Sequence, residues 1–226
     1  MTMCIRVVAA CALCAAAGSA LAGDDTLCAT FNEVAPGANG QFSFDDGESW
    51  HDTGRAGLYR WTRTGGTYGG AQGEFMTFCT ELTEHVRAGT DYCYDIMTLE
   101  SAPNTGAMGA GKANLVRELF GRYYTPAFGV ALNQTRAVAM QLAIWEIVYE
   151  NSGVLNLAGG SVRLTNNHGA GVALAQSYLD SLDGTGPLNT TIVVMSKAGA
   201  QDHIVPTPGA MALAGLGLLA AGRRRR

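Results

Sequence analysis

The segment that decides the fold is AVAMQLAIWEIVYE, residues 137–150, one of the most apolar helix-like stretches between the two ends of the chain. Gln141, Ile144, Trp145 and Val148 recur at steps of three and four residues, so a helix places them on one face. Gln141 then lies within an apolar stripe, where a carboxamide without partners costs on the order of 1 to 3 kcal/mol. The sequence therefore predicts a partner for Gln141, and a main-chain group of a neighbouring sheet is the simplest one.

Strand-like segments occupy the chain from Gln41 to Leu99. They are rich in aromatic residues and are separated by Gly, Asn and Asp, which is typical of strands joined by turns. They are QFSFDD (41–46), GLYRWTRT (57–64), EFMTFCTEL (74–82) and YCYDIMTLE (92–100). This half of the protein is predicted to be an antiparallel sheet or sandwich.

Helical spacing begins near Gly111, and the segment of Gln141 starts near Asn133 to Thr135. The other helix-like pieces are KANLVRELFGRYY (112–124) and GVALAQSYLDSLDG (171–184). Three more pieces resemble strands, namely GVLNLA (153–158), SVRLTN (161–166) and NTTIVVMSK (189–197). The order predicts an α+β fold in which a helical half, carrying the helix of Gln141, is inserted into the strand half.

Both ends of the chain have the character of targeting segments. Arg6, an apolar run from Val7 and the triplet Ala20-Leu21-Ala22 predict a secretory signal at residues 1–22, cleaved after Ala22. The folded domain is expected to span residues 24–200.

The last segment, residues 201–226, combines two prolines, an apolar run from Gly209 to Gly222 and four terminal arginines. As a helix this run rises about 21 Å, short of the roughly 30 Å hydrocarbon core, so it is a marginal transmembrane helix. The arginines favour a cytoplasmic end, with the chain before Val205 outside.

This tail resembles the PEP-CTERM sorting signal of Gram-negative bacteria, with Thr207 where that family usually has Glu. The resemblance implies passage through the inner membrane, sorting to the cell surface or extracellular matrix, and removal of the tail by an exosortase-type protease. A permanent membrane anchor is the alternative.

The charge of the predicted domain argues against nucleic acid as a partner. Of the 15 Lys and Arg, five lie in the ends, so ten remain against 19 Asp and Glu, a net charge of −9. Phosphate binding relies on clustered Lys and Arg, which this region lacks. His51, His85, His168 and His203 have no metal-like spacing, so neither a metal nor a cofactor is predicted. Cys79 and His85 lack an orienting third group, so an enzyme is not predicted either.

Three cysteines, Cys28, Cys79 and Cys93, remain after removal of the predicted signal. In an oxidising compartment two of them can pair and one is left over. Cys79 with Cys93 leaves Cys28 spare, whereas Cys28 with Cys93 leaves Cys79 spare. Parity alone does not choose between these pairings.

TFCTEL (77–82) and MQLAIWEI (140–147) together resemble the thioester domains of bacterial surface proteins. In that family a strand Cys after an aromatic residue and a Gln in a Q-x-A-I-W helix condense, with loss of ammonia, to an internal thioester. The resemblance implies that Cys79 supplies the sulfur, Gln141 the acyl carbon, and that Trp145 packs beside the bond.

Side chains around the implied bond have expected roles. Ile144 and Trp145 would exclude water from it. Thr77 and Glu81 share the strand face of Cys79 by alternation, and they either relay protons during bond formation or are simply solvent-exposed.

Two functions follow as hypotheses. The first is an exported surface protein that binds amine-bearing ligands or matrix components covalently through the Cys79–Gln141 thioester. The second is a non-covalent structural protein of the extracellular matrix with the same fold, in which Gln141 is only hydrogen-bonded.

Overall fold

The computed structural model describes residues 25–124 and 133–206 of the 226-residue chain. These residues form seven strands, three α-helices and a short 3-10 turn at Leu99–Ser101. In chain order the elements are β1 (Thr26–Ser43), β2 (His51–Gly65), β3 (Glu74–Cys79), β4 (Asp91–Met97), α1 (Gly109–Tyr123), α2 (Gln134–Tyr149), β5 (Arg163–Asn166), α3 (Gly171–Asp180), β6 (Val193–Lys197) and β7 (Ala200–Val205).

Six strands form a closed antiparallel sheet in the order β1, β2, β3, β7, β6, β4 and back to β1. The long strand β1 makes this closure possible, because its first residues pair with β4 while most of its length pairs with β2. Register shifts along the β1–β2 ladder bend β1, as bulges do at barrel corners. The far end of β1 also pairs with the short strand β5.

Aromatic rings meet inside this barrel around Trp61 of β2. Its ring centroid lies 5.0 Å from that of Phe31, 5.7 Å from that of Tyr94 and 5.0 Å from that of His203. Since β2 pairs with neither β4 nor β7, the contacts to Tyr94 and His203 cross the interior of the barrel. This packing leaves the inner face of β3, which carries Thr77 and Cys79, without contact with solvent.

Helix α2 packs against β1, β2 and β3 of the barrel and against α3. Asn133 caps its start by accepting a hydrogen bond from the Arg136 N–H at 3.0 Å. At the C-terminal end of α2, the Lys112 ammonium group donates to the Val148 carbonyl at 2.7 Å, which is favourable for the helix dipole. Every residue from 137 to 148 is buried, so the predicted single apolar face is replaced by burial all round the helix.

The structure confirms a mixed fold with an antiparallel sheet and helices, and it differs from the sequence expectations in detail. The sheet closes on itself instead of forming a sandwich. Residues 153–158 form no strand. The Leu157 N–H donates to the side chain of Gln176 on α3, and the Leu157 carbonyl accepts from the Leu164 N–H. The first part of β1 and the whole of β7 were not predicted as strands, and β7 extends the folded domain to Val205, five residues beyond the expected boundary at 200.

The signal at 1–22 and the apolar run at 209–222 both lie outside the described residues. Within residues 25–124 and 133–206, no helix has the length and apolarity needed to cross a membrane.

Candidate functional site

The carboxamide of Gln141 is bound to the main chain of Cys79. Its Oε1 accepts from the Cys79 N–H at 2.9 Å, and its Nε2 donates to the Cys79 carbonyl at 2.7 Å. Both residues are completely buried. We call this pair of hydrogen bonds the Cys79–Gln141 clasp.

The clasp occupies the place of a missing strand. On one side β3 pairs with β2, and this ladder ends at the pair Tyr59–Thr77. On the other side β3 pairs with β7 through Phe78 and Cys79. The Gln141 amide continues the ladder beyond Thr77, because a carboxamide offers the same donor and acceptor as a peptide group.

The Cys79 sulfur is enclosed by main-chain groups of Glu81. The thiol donates to the Glu81 carbonyl at 2.9 Å, and the Glu81 N–H approaches the sulfur at 3.2 Å. Burial raises the pKa of the Cys79 thiol well above its usual range, and the hydrogen bond at Glu81 opposes that rise only in part. A free thiol at this position is therefore protonated and a weak nucleophile at neutral pH.

Trp145 and Ile144 of α2 are both completely buried, and Trp145 lies near Cys79. The indole N–H of Trp145 has no hydrogen-bond partner within the described residues. Its position near the Cys79 sulfur favours the thiolate, although this effect on the pKa of Cys79 is smaller than that of burial.

The other two cysteines form a disulfide. Cys28 on β1 and Cys93 on β4 are directly opposite each other in the antiparallel ladder and are bonded. Of the two pairings that the sequence left open, the structure contains this one, and Cys79 keeps a free thiol.

Thr77 and Glu81 are not solvent-exposed, contrary to the simpler of the two sequence expectations. Both are completely buried. Thr77 faces the barrel interior, and Glu81 is covered by Thr105 and Asp202. Thr77 Oγ1 accepts from the Trp61 indole N–H at 3.0 Å and lies 3.2 Å from Nδ1 of His203. Burial lowers the pKa of His203 to about 3, so its imidazole is neutral.

The Glu81 carboxylate, just after β3, binds a loop residue and a residue of β7. Its oxygens accept from the Thr105 hydroxyl at 2.7 Å and from the Asp202 N–H at 2.9 Å. Burial raises the pKa of Glu81 to about 7. The carboxylate does not contact the Cys79 sulfur, so its role at the clasp is to hold the segment whose main chain surrounds that sulfur.

Tyr149 is a site residue that the sequence analysis did not identify. It lies on the same face of α2 as Gln141 and Trp145, at successive steps of four residues. Its hydroxyl accepts from the Leu82 N–H at 3.0 Å, and its ring lies 5.4 Å from that of Phe44. The spacing from Gln141 is the signal that could have identified it.

Other arrangements considered from the sequence do not come together. His85 is exposed, whereas Cys79 is completely buried. In the part of the chain that the structure describes, no group of three or more His, Cys, Asp or Glu side chains could hold a metal ion.

Comparisons with protein-family models, with curated proteins and with solved structures give no match for this chain.

Proposed function

We propose that this protein captures amine-bearing partners covalently, through an internal thioester between Sγ of Cys79 and Cδ of Gln141. The observation that carries the proposal is the clasp, in which a buried glutamine amide is hydrogen-bonded to the main chain of a residue with a free thiol. Two reacting groups that are held together in this way react as if at high concentration.

Formation of the bond requires attack of the Cys79 sulfur on the Gln141 acyl carbon. The C–S bond forms, the C–N bond breaks, and the thiol proton leaves with the nitrogen as ammonia. The Cys79 N–H, 2.9 Å from Oε1, stabilises the negative charge that this oxygen acquires during the attack. The amide is thereby activated by the same hydrogen bond that positions it.

Burial would protect the bond once it had formed. Both partners and their neighbours Ile144 and Trp145 are completely buried, which excludes water from the acyl carbon. A thiol with a raised pKa is also a poor leaving group, so sulfur departs slowly while the site is closed. The site therefore suits a reactive bond that is stored until a partner gains access.

The proposed setting is the surface of a Gram-negative cell or its extracellular matrix. The predicted signal and the PEP-CTERM-like tail support export, transient residence in the inner membrane and processing by an exosortase-type protease. The Cys28–Cys93 disulfide supports an oxidising compartment. The ligand would be a surface or matrix component with a primary amine, and the protein would act as an attachment protein and not as an enzyme.

A non-covalent matrix protein is the second candidate. The same clasp favours it in one respect, because both main-chain groups of Cys79 and both polar ends of the Gln141 amide are already satisfied. A buried glutamine with such partners needs no further chemistry to be stable.

Intact-mass measurement of the purified protein separates the two candidates. A thioester lowers the mass by one ammonia, beyond the loss of hydrogen at the disulfide, and methylamine adds to the protein and restores a free thiol. Cys79→Ala and Gln141→Ala should each abolish both the deficit and the adduct.

Gln176→Ala is the matched control. The Gln176 amide also binds main chain, because it accepts from the Leu157 N–H and donates to the Leu155 carbonyl, but neither of these partners is a cysteine. This variant should leave both signals unchanged. If the parent protein shows no loss of ammonia and forms no methylamine adduct, only the non-covalent candidate remains.

A further inference from the structure

A cavity lies where the first turns of α2 and α3 meet. It has a volume of about 480 Å³, and its wall includes Gln134 and Thr135 of α2 and the residues 167–171 that lead into α3. The two helices approach closely at this point, since a Cβ atom on Gly171 would lie 2.3 Å from Cγ1 of Val138. The first residues of both helices therefore face one cavity.

The main chain at these helix starts favours a negative charge. The first N–H groups of a helix have no partner within it and carry a partial positive charge. The N-cap of α3 is Ala170, whose methyl group accepts no hydrogen bond, and in α2 the Asn133 side chain binds one N–H group, that of Arg136. Neither first turn contains Asp or Glu, and no acidic side chain among the described residues lines the cavity. An oxyanion therefore suits this end of the cavity.

His168 adds a hydrogen-bond acceptor to the cavity wall. Its side chain lines the cavity and is only 1% exposed, and its Nε2 lies 3.1 Å from the Gln41 carbonyl oxygen. A carbonyl oxygen only accepts, so Nε2 carries the hydrogen of the neutral ring and Nδ1 carries a lone pair. In the described part of the chain, Nδ1 is buried without a partner. A buried acceptor of this kind calls for a donor.

Gly40 packs against the His168 ring but does not satisfy Nδ1. A Cβ atom on Gly40 would lie 2.0, 2.1 and 2.5 Å from Cε1, Nδ1 and Nε2 of the ring. Such similar distances to three ring atoms place Gly40 over the face of the imidazole, whereas the lone pair of Nδ1 lies in the plane of the ring. A ligand in the cavity that carries an O–H group would supply the donor.

We propose that this cavity binds a phosphate group that carries a proton, either as the free ion or as a phosphate monoester. Its unprotonated oxygens accept hydrogen bonds from the first turns of α2 and α3, and its P–OH group donates to Nδ1 of His168. Sulfate matches phosphate in shape but has no proton to donate near neutral pH. The site is therefore expected to distinguish the two anions, and it does not depend on the proposed thioester.

Calorimetric titration of the purified protein measures this selectivity. At about pH 5.5 phosphate and its monoesters keep a proton, whereas sulfate does not. Dimethyl phosphate is a second control, because it carries one negative charge and no acidic proton. Inorganic phosphate should bind about threefold to tenfold more tightly than either control, which is the value of one added hydrogen bond. Equal affinities for the three anions, or no binding of phosphate, would overturn the proposal.

The variant His168→Gln tests the acceptor. Its amide can still donate to the Gln41 carbonyl but does not reproduce Nδ1, so phosphate should lose its advantage over sulfate and dimethyl phosphate. His51→Gln, at an exposed position on β2, should keep that advantage. A persistent preference for phosphate in His168→Gln would refute the role of Nδ1.

The variant Ala170→Asp tests the location of the site while leaving His168 in place. Ala170 is exposed at the N-cap of α3, where Asp is a favourable residue. Repulsion by the new carboxylate should weaken phosphate binding by about tenfold or more. Ser177→Asp makes the same change of charge at an exposed position later in α3 and should leave binding intact. An unchanged affinity in Ala170→Asp would place the ion elsewhere and contradict the assignment.

Glycerol 1-phosphate distinguishes the two sources of the phosphate group. Tighter binding of this ester than of inorganic phosphate would identify a phosphate monoester as the ligand. Equal or weaker binding would identify the free ion. Both results support the site, provided that His168→Gln and Ala170→Asp act on the tighter ligand as described.

Discussion

At the scale of single residues, the clasp shows why an amide is present in so apolar a helix. The sequence predicted that Gln141 needs a partner, and the structure provides one in the main chain of Cys79. The reason for this choice lies in the sheet, because β2 stops pairing with β3 at Thr77 and leaves the next main-chain groups open. An aliphatic side chain at position 141 would bury those groups without partners.

A stability comparison tests this role separately from the thioester. In a Cys79→Ala background, Gln141→Ala should lower the free energy of unfolding by about 2 to 4 kcal/mol, because two buried main-chain groups lose their partners. Gln176→Ala should cost about 1 kcal/mol, since Gln176 is only half-buried and water can replace its amide. Urea unfolding gives both values, and equal losses would show that the clasp is not specially important for stability.

Residue-scale reasoning failed where burial depends on the complete fold. Alternation along β3 correctly placed Thr77 on the face of Cys79, but it could not show that this face is the interior of a barrel. Tyr149 was passed over for a similar reason. Its spacing from Gln141 places it on the same helix face, but its contact with Leu82 arises only when the chain after β3 meets α2 in the complete fold.

At the scale of elements, the bounds of β3, α1 and α2 could be predicted to within a few residues because their patterns are strong and local. The first part of β1 could not, since Pro36 and several glycines resemble a loop. These residues are tolerated in a strand because the β1–β2 ladder shifts register there. The strand β7 was mistaken for the start of the tail, and only its pairing with β3 and β6 reveals it.

The disulfide between β1 and β4 leads to a prediction about elements. Replacing both Cys28 and Cys93 by Ser should lower the free energy of unfolding by about 2 to 4 kcal/mol, because the bond closes a loop between residues 65 apart in sequence. Denaturant unfolding measures this loss. The ammonia deficit should persist in the double variant, since Cys79 is not part of the disulfide. Its disappearance would indicate that the thioester forms only when the disulfide holds β1 against β4.

At the scale of the whole molecule, buried ionisable groups set opposing dependences of stability on pH. Burial lowers the pKa of His203 to about 3 and that of His168 to about 4, so their contribution is lost as the pH falls below about 6.5. Burial raises the pKa of Glu81 and of Glu146 to about 7, and their contribution is lost as the pH rises from about 4.5 to 7. The two pairs therefore offset each other between these limits.

Glu146 allows one side of this balance to be isolated. Its Oε1 accepts from the Asn156 N–H at 2.6 Å, whereas Oε2 is buried without a partner among the described residues. Glu146→Gln keeps an acceptor for Asn156 and removes the charge. Relative to the parent protein it should gain stability as the pH rises from 5 to 8, by on the order of 1 kcal/mol. Urea unfolding at the two pH values measures this, with the exposed Glu33→Gln as the control. A gain that is equal at both pH values would show that Glu146 does not titrate in this range.

The position of β7 has a mechanical consequence. This strand ends at Val205, and two residues earlier His203 pairs with Cys79 across the ladder to β3. Tension applied to the chain beyond Val205 passes first into β7, and the short β3–β7 ladder is one of the two that resist it. Under the proposed function a captured partner would be attached to Gln141 of α2, so a molecule pulled from both ends would carry the load from β7 through β3 and its contacts with α2.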